Sequence, residues 1–230
     1  RAVYMQALTS MGDDVVLPLC AALDAENTMV RRNAAITLGR IGDPRAAAFL
    51  ARLVEMDSDQ GVKDAAAKAL AECGGAQRGA EFSFNTLGEL YHLANINVLR
   101  PDQISDVVWS YSGGKLNATE VPHYLYAQEM AKVAFYNALR VNPASNRAMS
   151  GLVRTFASEM QSIGDRRANE LEVGDEAMAA RAGMLAVAAA GQGAVDQALQ
   201  ASIRDRDMMA AIGICHAVQQ GLAVAGEGLV

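Results

Sequence analysis

The side chains able to do chemistry are few and scattered. The three histidines, His92, His123 and His216, follow Tyr91, Pro122 and Cys215, and no histidine adjoins a glutamate. The three cysteines, Cys20, Cys73 and Cys215, lie far apart, form no CxxC pair and show no metal-ligand spacing with histidine. Neither a metal nor a cofactor is expected. Gly113-Gly114-Lys115 places a lysine behind two glycines, as phosphate-cradling loops do, but the glycine spacing is wrong and no strand signal is read before it, so a turn is expected. No GxSxG and no interpretable Ser/His/Asp or Cys/His set is present, and no enzyme activity is expected. The local anomaly is aromatic. Ten of the twelve Phe, Tyr and Trp residues fall between Phe82 and Phe156, which concentrates large rings in one stretch. Tyr91, His92, Trp109, Tyr111, Tyr124 and Tyr126 are therefore the candidate partner-binding residues, because rings with polar tips anchor interfaces. The alternative is that they fill an irregular junction between helices.

The elements that must position these residues are helical. Hydrophobic residues make up 51% of the 230, yet aromatics only 5%, and Ala and Leu are prominent where strand-rich folds use β-branched and aromatic residues. Five prolines leave long stretches open to helix. No apolar run is long enough and free enough of charges and turn signals to span a membrane, and the Ala-rich stretch 184–190 reads as a core helix.

A repeat organises the first third. VRRNAAITLGRIG at residues 30–42 aligns with VKDAAAKALAECG at 62–74, a shift of 32, so that Ala35 meets Ala67, Leu38 meets Leu70, Ile41 meets Cys73 and Gly42 meets Gly74. Met5, Leu8, Met11 and Gly12 fit the same four positions at a shift of 30. Apolar residues three apart make a stripe on one helical face, and the glycine beyond it is a helix stop that accepts a left-handed cap. Asp13 or Asp43 then stands where it would cap the next helix, with Pro44 in its first turn. The following helices are expected near 45–55 and 15–23. Neither helix of such a pair buries its stripe alone, so the pairs must stack.

The string VRRNAAITLGRIGDP at residues 30–44 resembles the HEAT-like repeat of the bilin-lyase type, over about residues 1–75. The resemblance implies a scaffold and not an activity. In residues 129–143, Ala131, Phe135, Ala138 and Pro143 resemble the second helix of a tetratricopeptide repeat, with Phe135 as a knob between small residues, and Met149, Leu152, Val153 and Phe156 continue the face on the next helix. That resemblance implies a helix hairpin used in protein interaction. It departs from the family pattern before Ala131, where Ser110–Thr119 reads as a loop ahead of a helix starting near Val121 or Pro122. Residues 177–191 return to the first pattern, with Met184, Val187, Ala190 and Gly191 on the four positions. A second helix at 193–204 carries Val195, Leu199 and Ile203, and a further one at 208–219 carries Met209, Ile212, Cys215 and Val218. The glycine-containing tail 221–230 is expected to end the array.

The expected fold is all-α: a right-handed α-solenoid of stacked antiparallel helix pairs, with HEAT-like repeats at 1–80, tetratricopeptide-like helices at 81–170 and degenerate HEAT-like repeats at 171–230. The expected function is a non-catalytic scaffold that binds a protein or peptide on its concave face. Two alternatives are the binding or processing of a hydrophobic, bilin-like small ligand in the aromatic middle and a purely structural segment of a larger chain. Some relatives of the HEAT-like type hold metals through His-Glu pairs, which this chain lacks, and others act on DNA bases. The net charge of −6 is spread as 9 basic and 10 acidic groups in residues 1–80, 8 and 9 in 81–170, and 3 and 7 in 171–230. No basic stripe results, and nucleic-acid binding is not expected. Arg31, Arg32 and Arg40 are read as a solvated or ladder-forming face rather than a partner patch. The odd count of separated thiols suggests buried cysteines and a reducing compartment such as the cytoplasm. Arg1 falls inside a repeat, so the sequence reads as part of a longer or processed chain, with any targeting signal outside it.

Overall fold

A computed structural model describes residues 2–75, 78–99, 106–190 and 193–221. The architecture is an all-α helical repeat with one added two-stranded hairpin. Contacts divide the chain into two compact units, Arg1–Leu87 with Ala94–Tyr126, and Gly88–Leu93 with Ala127–Val230.

The first unit contains α1 (Ala2–Ser10), α2 (Val16–Ala22), α3 (Thr28–Ile41), α4 (Ala47–Met56), α5 (Gln60–Glu72) and the start of α6 (Ala80–His92). Local chemistry sets the helix ends. Gly12, Gly42 and Gly74 all have positive φ, from +62 to +75°, the conformation in which glycine avoids the Cβ penalty. Asn27 caps α3 by accepting from the Met29 and Val30 amides at 2.9 and 3.3 Å, and Asp59 caps α5 through the Val62 amide at 2.9 Å. Asp43 accepts from Arg45 N at 2.8 Å in the short turn that Pro44 opens before α4. Asp13 does not cap a helix: it lies inside a 3-10 turn, Gly12–Val15, with α2 beginning directly behind it.

The repeat packs α3 against α1, α2 and α5, and α4 against α5. Ala34, Ala35 and Leu38 are buried on α3. On α5 the buried residues are Val62, Ala66, Ala69 and Leu70, followed by Cys73, while Ala67 is exposed. The shift of 32 holds, since Ala34 and Ala66 are buried four residues before the buried Leu38 and Leu70, but Ala67 does not face inward as its aligned Ala35 does. Met5 and Leu8 are half-buried and Met11 is exposed.

The segment 110–119, expected to be a loop, is a β-hairpin. Strands β1 (Val107–Ser112) and β2 (Lys115–Glu120) pair antiparallel, Val107 opposite Glu120 and Ser112 opposite Lys115. Gly113 and Gly114, at φ +59 and +78°, form the two-residue turn, because a hairpin this tight needs positive φ at both central positions. A strand does precede the glycines, and β1 runs beside α2.

The second unit is built around the 23-residue helix α8 (Asn146–Ala168). Ser145 caps it, and α9 (Glu176–Ala190), α10 (Ala194–Asp205) and α11 (Met208–Gln219) pack on it. Helix α7 (Tyr126–Val141) runs antiparallel to it, with Lys132 beside Glu159 and Phe135 beside Gly151. The expected stripe is out of phase on α11 and holds only in part on α10. On α11, Met209, Ile212 and Cys215 are exposed, and the buried residues are Ala210, Gly213, Ile214 and Ala217. On α10, Val195 is buried and Leu199 half-buried as expected, but Ile203 is exposed and Ala198 and Ser202 are buried. Close approach explains the inversion. The α carbon of Gly213 lies against the backbone of Ala157, so small residues, not large ones, face α8. Gly213→Ala should therefore cost about 1–3 kcal/mol, because an added Cβ would meet the Ala157 carbonyl oxygen and backbone cannot yield as a side chain does. Urea denaturation followed by circular dichroism checks this, and an unchanged midpoint would exclude the close approach. The positions of Gly191 and the tail 222–230 lie outside the described residues.

Candidate functional site

Three surfaces carry concentrated polar or aromatic chemistry. The first is the hairpin. Opposed residues of an antiparallel pair share a face, so Trp109 with Ala118 and Tyr111 with Leu116 stand together. Trp109 and Tyr111 are half-buried, and Leu116 is 40% exposed, so this face remains accessible. The base of the hairpin is tied: the Val121 amide donates to the Asp106 carbonyl at 2.8 Å, and His123 Nδ1 lies 2.8 Å from Asp106 Oδ1.

The other candidate residues divide by position. Tyr124 is half-buried in the 3-10 turn His123–Leu125, and Tyr126 at the start of α7 is buried. Trp109, Tyr111, Tyr124 and Tyr126 belong to the first unit. Tyr91 and His92 belong to the second, where Tyr91 is among the largest fully buried side chains. His92 is held from both ring nitrogens, Nε2 2.6 Å from Asp207 Oδ2 and Nδ1 3.3 Å from Thr155 Oγ1. Of the six, Trp109 and Tyr111 are the pair that one strand presents on one face. Alternation of the VVWSYS run with a Gly-Gly turn was the signal for this arrangement.

The second surface is a groove of about 340 Å³ between α3 and α5, lined by Arg32, Ile36, Asp64, Lys68 and Glu72 around the close contact of Gly39 with Ala69. Its charges are mixed. Arg31 is a ladder residue: Nε and Nη2 donate to Asp57 at 2.7 and 2.9 Å, and Nη1 donates to the carbonyls of Ala25 and Glu26, both at 2.9 Å. The hydrogen bond from Arg31 holds the Asp57 carboxyl below its usual range, and Asp57 in return raises the Arg31 guanidinium. Arg32 and Arg40 are exposed.

The third surface was not legible in the sequence. In the second unit a cleft of about 310 Å³ is lined on α8 by Arg147, Ser150, Gly151 and Arg154, and on α10 by Gln197, Gln200, Ala201 and Arg204, with Glu89 of α6 at its side. Arg154 is 3% exposed, and its Nη1 and Nη2 donate to Asp205 Oδ2 at 3.0 Å and Asp207 Oδ2 at 3.3 Å. Arg204 also donates to Asp205, at 2.9 Å. Burial raises the Asp207 carboxyl, but hydrogen bonding from His92 and the charge of Arg154 outweigh it and the net shift is downward. Asp205, donated to by Arg204 and Arg154, is likewise lowered.

Cys20 and Cys73 are buried, and Cys73 Sγ donates to the Leu38 carbonyl at 3.6 Å. Burial pushes both thiols up, that of Cys73 to about 11, which makes them poor nucleophiles. Cys215, expected to be buried, is exposed. Among the described residues, no group of three or more His, Cys, Asp or Glu is placed to hold a metal ion, and no helix is long and apolar enough to cross a membrane.

Residues 1–71 match the family described as HEAT repeats. No curated protein and no solved structure is similar enough to the chain to match. The first third of the chain is thus similar to HEAT repeats, within an all-α helical-repeat fold, and such repeats often mediate protein interaction.

Proposed function

We propose that this HEAT-like repeat chain is a non-catalytic scaffold that binds a protein or peptide, and that Trp109 and Tyr111 are central to the contact. The observation that supports it most is their placement. Both rings stand on one face of a hairpin that is itself an addition to the helical repeat, and neither is consumed by the buried core. A half-buried Trp beside a half-buried Tyr still offers apolar area with few torsions to immobilise, which suits an interface anchor. Tyr124 stands at the edge of this proposal, and Tyr91, His92 and Tyr126 would act by holding the framework. The proposal includes tetratricopeptide-like helices at 81–170 and degenerate bilin-lyase-type HEAT repeats at 171–230. It is supported by the antiparallel α7–α8 pair packed through Phe135 and by the α9–α10 pair on α8.

The test is affinity capture with the wild type beside Trp109→Ala/Tyr111→Ala, with circular dichroism as the control for folding. The double variant should lose its partner, since truncating an anchor costs at least about 1–2 kcal/mol, roughly tenfold in affinity. A partner retained at equal affinity by the folded variant would remove the hairpin from the contact. Colour or a co-purifying small molecule lost with the same variant would instead indicate a hydrophobic ligand at this face.

A further inference from the structure

We propose that the outer edge of β2 takes an extended segment of the partner as a third, antiparallel strand, with a lysine or arginine opposite Glu120 and apolar residues opposite Ala118 and Leu116. The inference rests on the protein-binding reading and specifies the form in which the partner binds.

The hairpin leaves one edge open. β1 runs beside α2 and four of its six residues are half-buried, whereas five of the six in β2 are exposed. The sheet has two strands, and among the described residues no backbone group outside the hairpin bonds to residues 115–120. In a hairpin closed by a two-residue turn, the residues flanking the turn exchange both ladder bonds, and every second pair beyond them does the same. Ser112–Lys115, Ser110–Asn117 and Val108–Thr119 are therefore the bonded pairs. The N–H and C=O groups of Leu116, Ala118 and Glu120 consequently point away from β1. They make a row of donors and acceptors at strand spacing, which another strand satisfies in one step.

Exposed edges are commonly blunted by a proline, a bulge or a charge in mid-strand. The KLNATE strand has none of these. It contains no proline, its register runs unbroken from Val107–Glu120 to Ser112–Lys115, and its charges stand only at the two ends. The side chains then say which segment fits. One face of the hairpin carries Trp109, Tyr111, Leu116 and Ala118, and the other is polar, with Ser110, Asn117 and Thr119. A third strand continues both faces, so it alternates apolar with polar residues and sets the apolar ones beside Leu116 and Ala118. Leu116 is 40% exposed, and an apolar neighbour on the added strand covers it. Glu120 lies on this same face at the end away from the turn, where a cation directly opposite adds to the pairing. An antiparallel strand is preferred to a parallel one because its ladder is the more stable per residue. Main-chain bonds supply the attraction and the alternate side chains the selectivity.

The experiment uses the full chain and a fluorescein-labelled hexapeptide, Lys-Thr-Val-Thr-Val-Thr, with binding read by anisotropy. Two methylated versions keep every side chain. N-methylation of both valines removes the donors aimed at Ala118 and Leu116 and should weaken binding at least about tenfold. N-methylation of the two threonines that precede them removes only donors aimed away from β2, and should change binding less than about threefold. Ala118→Pro should weaken the unmodified peptide about tenfold, since proline removes the central outward N–H and leaves the bonds to β1 in place. The emission of Trp109, the one tryptophan of the chain, checks that the hairpin persists. If Ala118→Pro disrupts the hairpin, the methylated peptides decide alone. Equal weakening by both methylations, or no saturable binding of the unmodified peptide, would overturn the proposal. Dimerisation that Ala118→Pro abolishes, without peptide binding, would give the edge to a second copy and overturn it too. A captured partner lost with Trp109→Ala/Tyr111→Ala but kept by Ala118→Pro would sink the edge and leave the scaffold reading standing. A partner kept by both variants would remove the hairpin from both readings.

Discussion

Phe135→Ala should destabilise the second unit by about 3–5 kcal/mol, the cost of emptying a large aromatic site that cannot collapse. Phe135 is 1% exposed, and its ring lies against the α carbons of Gly88 on α6 and Gly151 on α8, where an added Cβ would clash with it. The ring thus fills a notch that two glycines cut for it, flanked on its own helix by the fully buried Ala131 and Ala138. Three helices meet at one side chain, so removing it leaves a void bounded by backbone, and backbone relaxes little. Circular dichroism in urea should show a lower midpoint for the variant. A cycle of Phe135→Leu with Gly151→Ala refines the test: the smaller leucine relieves the clash that the alanine introduces, so the double variant should be more stable than the sum of the two single changes. Simple additivity would show that ring and glycine do not meet.

Lys132→Met should cost a similar amount, about 3–5 kcal/mol at neutral pH, because it leaves a buried carboxylate without its cation. Lys132 Nζ donates to Glu129 Oε1 at 2.8 Å and to Glu159 Oε2 at 2.9 Å, and lies 5.0 Å from the centre of the Phe156 ring. Burial disfavours the ammonium, but Glu159 and Glu129 outweigh it and hold Lys132 above its usual range. Glu159 is 1% exposed, and burial raises its carboxyl even with Lys132 beside it. Without Lys132 the rise must be larger. The folded state then binds the Glu159 proton more tightly than the unfolded state, so the stability of Lys132→Met should fall as pH rises above the ordinary glutamate range and recover as pH drops back toward it. Lys132→Met/Glu159→Leu should recover most of the loss at neutral pH, because the buried charge has gone with its partner. A single variant whose deficit does not change with pH would show that its cost is packing, not the orphaned charge.

The surviving and failing parts of the sequence reading separate along physical lines. The repeat of the first third was legible because each signal was local: Gly12, Gly42 and Gly74 end helices through their own backbone freedom, and Asp43 and Pro44 organise the next turn through their own side chains. The hairpin was missed: the VVWSYS run and the two glycines carry its signal, but the segment read as a loop because the preference for helix elsewhere hid it. Helix existence in the last third also followed from composition, and so did the phase of α9, where Met184 and Val187 are buried, whereas the phase of α11 did not. Ala and Gly fit either a tightly packed face or an indifferent one, and only the position of α8 makes Ala210, Gly213 and Ala217 the inner face of α11 and leaves Met209 and Ile212 outside.

The candidate surfaces divide in the same way. Trp109 and Tyr111 were visible as residue types, and two positions apart on a strand they share a face whatever lies around them. The cleft is a product of tertiary structure alone. Glu89, Arg147 and Arg204 lie on three helices, and nothing in their spacing along the chain relates one helix to another. By itself, the sequence determined which segments are helical, where the repeat turns, and which rings and charges the chain possesses, because propensity, capping and periodicity act within a few residues. Only packing against α8 decided which face of α11 is buried, which ring enters the notch of Gly88 and Gly151, and which arginines share one cleft, because those outcomes depend on the distance of approach between helices far apart in the chain.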